Sequence, residues 1–443
     1  MTINIVIPSD NHEERTYALK ILLSLFIDQK LLDVVIKVEE TTDYHFFIDD
    51  NEIIINDDFW CHWPEPLSYL TQKALPHPVR GKCSFTSEQD IVCIYGKPEI
   101  DVFEKLIICK LDIIASTFFM LTRWEEYVND ARDIHDRFTA KESIAYKYGF
   151  LNRPIVNEYA RLLENMLLHI GLPRRCLSVG KFELVLTHDI DKMRYTSVKS
   201  LLGDIVKRWD LKLFFRNLQL SFSNPFNTYS FLMSESEKYG LKSHFYFMAS
   251  KDNNGHDYDF YINSKAFRNL INDIRTRGHI IGFHPGYTTY KNPTKWAIQK
   301  NKLSAKINQV ISEGRQHYLM MDISTTLQIW ADHDMKIDST LGYADCIGFR
   351  CGTGNYFRVF NFLTRKEMPL LEQPLIVMDG TLRQYMKLSN DEARGKVFEF
   401  INISKKYSMP MTILFHNSSF SCGWEGCESL YRDILQYAAN QDS

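Results

Sequence analysis

The chain has 443 residues, a formal net charge of −3, and hydrophobic and charged fractions of 45% and 24%. This is the composition of a globular protein in water, and without a strongly basic tract a nucleic-acid partner is not expected. The length exceeds that of one ordinary hydrophobic core, so the sequence predicts two domains.

The cysteines and the apolar segments of the sequence indicate the cellular compartment in which the protein is expected. The nine cysteines are scattered without a C-x-x-C pair, which is typical of reduced thiols in a cytoplasmic protein. The N-terminus carries no basic stretch ahead of an apolar run, so we do not expect a signal peptide. The longest apolar run, residues 106–121, contains Lys110 and Asp112 and is too short to span a bilayer. We therefore predict a cytoplasmic protein without a transmembrane segment.

Residues 1–178 are predicted to form the smaller domain, of α/β class. Apolar residues at helical spacing indicate helices, and short β-type runs separated by acidic and Asn-rich turns indicate hairpins. The predicted helices are 13–26, a long apolar one at 101–128, and 157–170, and the predicted strands are 3–7, 34–38, 45–48, 53–55 and 91–94.

Residues 133–138, with the sequence Asp-Ile-His-Asp-Arg-Phe, are polar enough to be a site. Because charged surface residues are usually solvated, we interpret this segment as a charged loop that packs against the second domain. A functional role for the segment is the alternative.

From residue 179 to 443, strands and helices alternate, which favours a parallel sheet or barrel. Polar side chains follow several of the predicted strands, a pattern typical of a site on one rim of a barrel. The predicted strands are 183–187, 244–249, 279–283, 316–321, 372–378 and 411–415, and the helices between them include 264–276, 295–311 and 391–407.

The first of these strands runs into Thr187-His188-Asp189-Ile190-Asp191. Ionisable side chains at the end of a buried strand cost free energy unless they are solvated, paired or bound to metal. Residues two apart in an extended segment point the same way, so Asp189 and Asp191 can converge, one to hold a metal and the other to move a proton. A turn or a helix cap is the structural alternative.

Histidines end two further predicted strands. His284 is followed by a Pro-Gly turn, and a neutral imidazole beside a carboxylate suits zinc or a similar divalent ion. A histidine that only ends the strand is the alternative. His416 follows the last predicted strand in the same way, whereas His279, at the start of its strand, is interpreted as structural.

Two further polar clusters of the sequence each contain an arginine. Arg315 and His317 lie two residues apart at a strand terminus, where they could pair with a carboxylate and reach a metal or a substrate oxygen. Asp338 begins a glycine-containing stretch in which Arg350 could contact an anionic or hydroxylated substrate. Polar residues at so many strand ends of one α/β domain are hard to explain by structure alone.

In this order, the motifs of residues 180–443 resemble those of the polysaccharide deacetylases of carbohydrate esterase family 4, which share a distorted (β/α) barrel. Thr187–Asp191 is similar to the D-x-D variant of the family's T-F-D-D motif, and Gly278–His284 matches the start of its G-H-x-I-x-x-H-[ST]-x-x-H motif. Arg315–Tyr318 resembles R-x-P-[YW], and Leu414–His416 resembles the closing L-x-H motif.

The resemblance implies a role for each matched residue. It implies a general base at Asp189, metal ligands at Asp191 and His284, an orienting arginine at Arg315, an oxyanion-binding backbone N–H at Tyr318 and a general acid at His416. The expected substrate-binding residues are Tyr287, Asp338 and Arg350.

One position departs from the family pattern. Thr288 stands four residues after His284, where the family has its second histidine ligand. Catalytic zinc usually has three protein ligands, so a third must come from elsewhere or the site is weakened. His317 is the first candidate because it adjoins Arg315, and His188 or an added water molecule are the others.

We therefore predict a metal-dependent hydrolase with one divalent ion, zinc as the first choice, that removes an N-acyl group, normally acetyl, from an amino sugar in a polymer or a precursor. The alternatives are hydrolysis of a cyclic amide, as in the allantoinase-like relatives of the family, an inactive carbohydrate-binding protein, and a scaffold in polysaccharide assembly. Residues 116–126 resemble an uncharacterised N-terminal extension of some bacterial deacetylase-like proteins, which we expect to pack over the barrel and shape its cleft.

Overall fold

The computed structural model describes residues 2–194, 224–251, 255–257, 262–421 and 425–440. Its strands form two large sheets and a two-stranded ribbon, so the class is mixed α/β, as predicted. The first large sheet takes its strands from residues 2–111 and the second from residues 183–414. The division into domains at residues 178 and 179 remains a proposal.

The first sheet has six strands. These and the ribbon comprise β1 Thr2–Pro8, β2 Asp33–Glu39, β3 Tyr44–Ile48, β4 Asn51–Ile55, β5 Val79–Gly81, β6 Ile91–Cys93, β7 Gly96–Val102 and β8 Leu106–Leu111. The order in the sheet is β2-β1-β3-β4-β8-β7, and β5 pairs with β6 in the ribbon. Alternate residues of β1 and β3 are buried, which is the pattern of strands that place one face on a core.

The helices of this part are α1 His12–Ser24, α2 Ile113–Thr122, α3 Glu125–Val128, α4 Ile144–Lys147 and α5 Ile155–His169. Helices α1, α2 and α5 contact one another. All ten residues of α2 are buried. A mostly apolar helix that is buried on every side lies inside a core, and α2 is therefore at the centre of this part of the molecule.

The long helix predicted at 101–128 is wrong up to residue 112, and the rest is divided into α2 and α3 at Arg123, whose φ is 55°. Leu106–Leu111 forms β8, which pairs antiparallel with β7, and the helix begins only at Ile113. Half-buried and buried residues alternate along β8, which is the period of a strand and not of a helix. The Asp112 carboxylate then accepts the Ala115 N–H at 2.9 Å and caps the helix.

The second sheet has nine strands. They are β9 Glu183–Ile190, β10 Ser243–Phe247, β11 Ile280–Phe283, β12 Glu313–Gly314, β13 Ile337–Asp338, β14 Phe357–Asn361, β15 Lys366–Glu372, β16 Leu375–Met378 and β17 Pro410–Leu414. Their order is β14-β15-β13-β12-β11-β10-β9-β17-β16, with β14 antiparallel to β15 and the other pairs parallel. The carboxyl ends of the parallel strands therefore share one edge of the sheet.

This sheet curls towards closure. Leu341, just beyond β13, accepts the N–H of Leu375, the first residue of edge strand β16, at 3.3 Å. Gly348 donates its N–H to the carbonyl of Ile376 in the same strand at 3.1 Å. Among the described residues β14 and β16 are not paired with each other, so the predicted barrel is present as an open, curled sheet.

The strand predicted at 316–321 is wrong. Strand β12 has only two residues, and a 3₁₀ turn follows at His317–Leu319. Tyr318 and Leu319 have φ values of 60° and 53°, a left-handed conformation that a strand excludes. The chain therefore turns sharply at the edge of the sheet.

The other predicted strands of this sheet agree with the structure to within a few residues, except that 372–378 is divided between β15 and β16. The helices are α6 Tyr229–Glu237, α7 Lys265–Thr276, α8 Pro293–Ile307, α9 Thr326–Asp332, α10 Asn390–Lys406 and α11 Cys427–Ala439. Within the described ranges, none of the helices combines the length and apolar composition of a membrane span. The cysteines of these ranges are free thiols, and Cys422 lies outside them.

A buried network of charges joins the first part of the chain to the second sheet. Arg350 donates from Nη2 and Nε to the two carboxylate oxygens of Glu126 at 2.5 and 3.0 Å. Arg123 donates to Glu126 at 2.9 Å and to the hydroxyl of Tyr343 at 3.0 Å. All four side chains are buried, and one hydrophobic core extends through both parts.

We expect Glu126→Ala to lower the free energy of unfolding by about 3–5 kcal/mol, because Arg350 would then lack a carboxylate partner inside the core. Urea denaturation followed by tryptophan fluorescence measures the change. Glu142→Ala is the matched control, since Glu142 pairs with Lys147 at 3.0 Å on the surface, where such pairs contribute about 0–1 kcal/mol. Equal losses in the two variants would contradict a stabilising role for the buried network.

Candidate active site

The carboxyl edge of the second sheet carries a cleft of about 260 Å³. Most of the side chains that line it lie at or just beyond the ends of β12, β11, β9, β17 and β16, within six consecutive strands of the sheet, and Arg137 reaches it from outside the sheet. The predicted site residues in its lining are Asp189, Asp191, His284, His317, Tyr318 and His416.

Asp191, His284 and His317 form a compact group at this cleft. Their ligand atoms all lie within 4.8 Å of one another. His284 Nε2 is 3.3 Å from Asp191 Oδ1, and His317 Nε2 is 3.5 Å from the same oxygen. Burial favours the neutral acid, but the facing histidines outweigh it and hold the pKa of Asp191 below its usual range.

Two atoms of this group fit a bound cation. Asp191 Oδ1 and His284 Nε2 are buried and have no hydrogen-bond partner among the described residues. Polar atoms left without partners inside a protein cost free energy, and a divalent ion shared by the two atoms would remove that cost. One carboxylate and two imidazoles are a donor set that suits zinc.

The two histidines of the group are oriented through their other ring nitrogen. His284 Nδ1 lies 2.6 Å from the carbonyl oxygen of Arg315, and His317 Nδ1 lies 2.7 Å from Asp257 Oδ1. Each contact turns Nε2 towards Asp191, as outer carboxylates and carbonyls do for metal-binding histidines. Asp257 is buried and also accepts the Tyr287 N–H at 3.0 Å.

His188, the other protein candidate for third ligand, does not join the group. Its Nδ1 lies 2.8 Å from the carbonyl oxygen of Phe415 and its Nε2 lies 3.3 Å from the hydroxyl of Ser243. Burial lowers the pKa of His188 to about 4, so the ring is neutral at physiological pH. Both ring nitrogens are engaged within the sheet, which is a structural role.

Asp189 is held by a buried arginine. Arg315 Nη1 donates to Asp189 Oδ1 at 2.9 Å and to the hydroxyl of Thr187 at the same distance. The rest of the guanidinium donates to the carbonyl and hydroxyl oxygens of Ser339 at 2.7 and 2.8 Å. Asp189 Oδ2 remains 3.7 Å from His284 Nε2, so this oxygen faces the metal-binding group.

His416 is paired with Asp379, which the sequence reasoning missed. Asp379 Oδ1 lies 2.7 Å from His416 Nδ1, and Oδ2 accepts the His416 backbone N–H at 2.7 Å. His416 Nε2 points into the cleft, 3.8 Å from Asp191 Oδ2. Burial disfavours the imidazolium, but the carboxylates of Asp379 and Asp191 outweigh it and raise the pKa of His416 to about 10.

The turn after β12 forms another wall of the cleft. Tyr318 and Leu319 line it in their left-handed conformations. Each such residue other than glycine costs on the order of 1–3 kcal/mol and persists only where the surroundings enforce it. Leu319 donates its N–H to the Gln316 carbonyl at 3.0 Å, and the buried Gln316 amide donates to Gly286 at 2.9 Å.

Of the expected substrate-binding residues, Tyr287 lies beside the turn. Its ring stacks on His256 with centroids 4.1 Å apart, and its hydroxyl is 3.2 Å from His135 Nδ1. Its ring centroid is 5.3 Å from that of Tyr318.

Asp338 and Arg350 were also expected to bind substrate, but neither side chain is among those that line the cleft. Asp338 is fully buried and lies opposite Glu372 in the sheet, and Arg350 is bound to Glu126 in the core. Arg350 is thus paired with an oppositely charged residue that is distant in sequence, whereas Asp338 lies beside another buried carboxyl group.

Asp257 and Arg137 are further cleft-associated residues; the sequence did not single out Asp257, and it left a functional role for the segment of Arg137 as the alternative. Asp257 lies in a loop without a motif, and Arg137 belongs to the polar segment interpreted as a packing loop. Only Asp379 carried a local signal, because it directly follows an apolar strand in the same way as His416.

A family model described as a family of unknown function (DUF7033) matches residues 3–171. No curated protein matches the chain. A solved structure from Mycobacterium smegmatis, described as a polysaccharide deacetylase, matches with 14% identity and a TM-score of 0.41, and the match covers 60% of this chain and 86% of that one.

Two further solved structures match more weakly. A family 4 carbohydrate esterase from Streptomyces lividans matches with 11% identity and a TM-score of 0.29, covering 59% of this chain and 90% of that one. A mutant of a CE4 family pseudoenzyme with restored enzymatic activity matches with 10% identity and a TM-score of 0.28, covering 62% and 78%. With such low identities and TM-scores, the function has to be argued from the residues of the cleft.

We expect the purified protein to hold close to one divalent ion per chain, measured by inductively coupled plasma mass spectrometry. Asp191→Ala, His284→Ala and His317→Ala should each lose the ion, because each removes one of the clustered ligand atoms. Asp257→Ala should weaken binding by about 10–100-fold, because His317 would lose the partner that orients its ring.

His45→Ala is the matched control for these variants, since His45 pairs with Glu52 at 2.6 Å in the first sheet, away from the cleft. It should retain the ion. Full metal content in His317→Ala would exclude this histidine as the third ligand.

The pair Asp338 and Glu372 predicts a pH dependence of stability. Burial raises the pKa of both carboxyls, and for Glu372 the neighbouring Asp338 adds to the rise. The folded protein therefore keeps a proton that the unfolded chain releases above about pH 4.3. The free energy of unfolding should fall as the pH rises above that value, until the raised folded-state pKa is passed.

The side chain of Glu372→Gln cannot ionise, so this variant should lose less stability than the wild type in urea denaturation as the pH rises above the ordinary carboxyl pKa. Glu367→Gln, an exposed change on the same strand, should follow the wild type. Parallel pH profiles for the wild type and Glu372→Gln would contradict a proton held by the pair.

Proposed function

We propose that this protein is a metal-dependent hydrolase that removes an N-acyl group, acetyl in the simplest case, from an amino sugar. The observation that carries the proposal is the convergence of a candidate metal group with a carboxylate and an imidazole in one cleft. Asp189 and His416 lie 3.7 and 3.8 Å from atoms of that group. The choice of an amino sugar comes from the resemblance of the motifs, in their order along the chain, to those of the polysaccharide deacetylases.

Asp191, His284 and His317 would hold the ion, and their oxygen and nitrogen donors favour zinc. A bound zinc ion supplies Lewis acidity, which polarises the acyl carbonyl and acidifies a water molecule. The protein contributes the orientation of the ligands, since Arg315 and Asp257 fix the two imidazole rings.

Asp189 would act as the general base. One of its oxygens is bound by Arg315, and the other faces the metal-binding group, so the carboxylate cannot rotate away. A base held in this orientation can take the proton of the attacking water as the water adds to the acyl carbon. The negative charge that develops on the acyl oxygen would be bound by the Tyr318 backbone N–H.

His416 would act as the general acid. An amine leaves an acyl carbon slowly unless its nitrogen is protonated, so the reaction needs a proton donor on the leaving side. With its pKa raised to about 10, His416 is charged at neutral pH and carries that proton. Asp379 binds Nδ1 of the His416 ring, which directs Nε2 of the ring into the cleft.

Release of acetate from N-acetylated chitooligosaccharides by the zinc-loaded protein tests the proposal. The same assay with allantoin tests hydrolysis of a cyclic amide instead. Binding of the oligosaccharide without release of acetate would support an inactive carbohydrate-binding protein and contradict the proposal.

Asp189→Asn should lower kcat by about 10²–10⁴-fold, because the variant cannot accept the proton of the attacking water. Its metal content should equal that of the wild type, since Asp189 lies outside the clustered ligands. Asp101→Asn, an exposed change in the first sheet, is the control. Loss of the metal in Asp189→Asn would instead make this carboxylate a ligand.

A further inference from the structure

Arg137 reaches the cleft from outside the second sheet. It belongs to the polar segment 133–138, which lies within the residues matched by the family of unknown function. Its side chain lines the same cleft as the candidate metal group and is nearly buried, with 8% exposed. A buried guanidinium at this point requires an explanation, because packing alone does not need a charge.

Arg137 joins two segments of the cleft wall. Its Nη1 donates to the Tyr318 carbonyl at 3.1 Å, and its Nη2 donates to the Tyr385 hydroxyl at 2.9 Å. Tyr318 belongs to the turn after β12, and Tyr385 ends the π-helical turn that follows β16. Strands β12 and β16 lie far apart in the sheet order, so one side chain links distant strand ends.

Asp133 holds this guanidinium in place. Its Oδ2 accepts from Arg137 Nε at 2.9 Å and from Nη2 at 2.7 Å. Its Oδ1 accepts the backbone N–H groups of His135 and Arg137 at 2.8 and 3.0 Å. The loop is thus folded around its own carboxylate, which orients the arginine before any ligand arrives.

Tyr318 is the partner that most needs restraint. Tyr318 and Leu319 are two consecutive residues in the left-handed backbone conformation, which residues other than glycine rarely adopt. The Tyr318 carbonyl fixes the peptide plane after this residue, and the Leu319 N–H in the same plane binds Gln316. Arg137 therefore restrains the ψ rotation of Tyr318, whose own N–H lies in the preceding peptide plane and is proposed to bind the oxyanion.

We propose that Arg137 is a positioning residue of the active site. It holds Tyr318 in its left-handed conformation, so that the N-terminal part of the chain completes the oxyanion-binding wall of the cleft. The catalytic consequence rests on the proposed function, whereas the restraint on Tyr318 does not.

The test compares Arg137→Ala, Arg137→Lys and Arg132→Ala. Arg132 is the matched control because it lies in the same segment and also donates to backbone carbonyls, those of Glu126, Asn129 and Ala131, away from the cleft. Crystal structures of the zinc-loaded variants report the φ value of Tyr318. Acetate release from N-acetylated chitooligosaccharides reports kcat and KM.

In Arg137→Ala, Tyr318 should leave the left-handed region, with metal content unchanged. The kcat should fall by about 10–100-fold with KM nearly constant, less than the roughly 10²–10³-fold loss on deleting an oxyanion donor. Arg137→Lys should recover part of kcat, because an ammonium can still donate to the carbonyl. If Arg137→Ala does not fold, Arg137→Lys against Arg132→Ala gives the same comparison.

An unchanged Tyr318 in the crystal structure, or reduced stability with unchanged kcat, would overturn the proposal. A wild-type protein that releases no acetate would contradict the proposed function alone. In that case, the conformation of Tyr318 in the variant still decides whether Arg137 holds it.

Discussion

The cleft depends on the burial of one charge, that of Arg315. A fully buried guanidinium is tolerated only where it is paired and hydrogen-bonded, and this one binds Asp189, Thr187 and both oxygens of Ser339. Its backbone carbonyl lies 2.6 Å from His284 Nδ1. One residue thus fixes the proposed base and a proposed metal ligand with respect to each other. The geometry of the ends of β9 and β11 follows from satisfying this arginine.

The three imidazoles of the cleft share one arrangement and differ in its consequence. Each has its Nδ1 engaged by a carbonyl or carboxylate and its Nε2 turned to Asp191, at 3.3 Å for His284, 3.5 Å for His317 and 3.8 Å for His416. His416 differs in position, since its Nε2 lies farthest from Asp191 and outside the clustered ligand atoms. Burial disfavours a charged ring, but neighbouring carboxylates raise the pKa of both His416 and His284. The division into two proposed ligands and one proposed acid therefore follows from position and not from charge alone.

Local patterns predicted the parts of the site that lie on strands, because the period of a strand and the shared edge of a parallel sheet determine which residues meet. Asp189 could be predicted in this way, and so could Asp379, which ends an apolar strand but matched no motif considered. Asp257 and Arg137 lie in loops, where no periodicity connects sequence to position. For Arg350, the sequence pattern did not predict burial in the core. A buried structural arginine and a substrate-binding arginine cannot be told apart in a sequence until the distant partner, here Glu126, is known.

The position of His317 explains how the group can keep three side chains although Thr288 replaces a motif histidine. Strands β11 and β12 are hydrogen-bonded neighbours, with Phe283 opposite Gly314. A Cβ at residue 314 would lie 1.9 Å from the Phe283 carbonyl oxygen, so the two backbones approach at a point that only glycine permits. The residues beyond these strands then meet, and the rings of His284 and His317 lie with centroids 5.0 Å apart. Adjacency of strands, and not spacing within one segment, determines which side chains can share an ion.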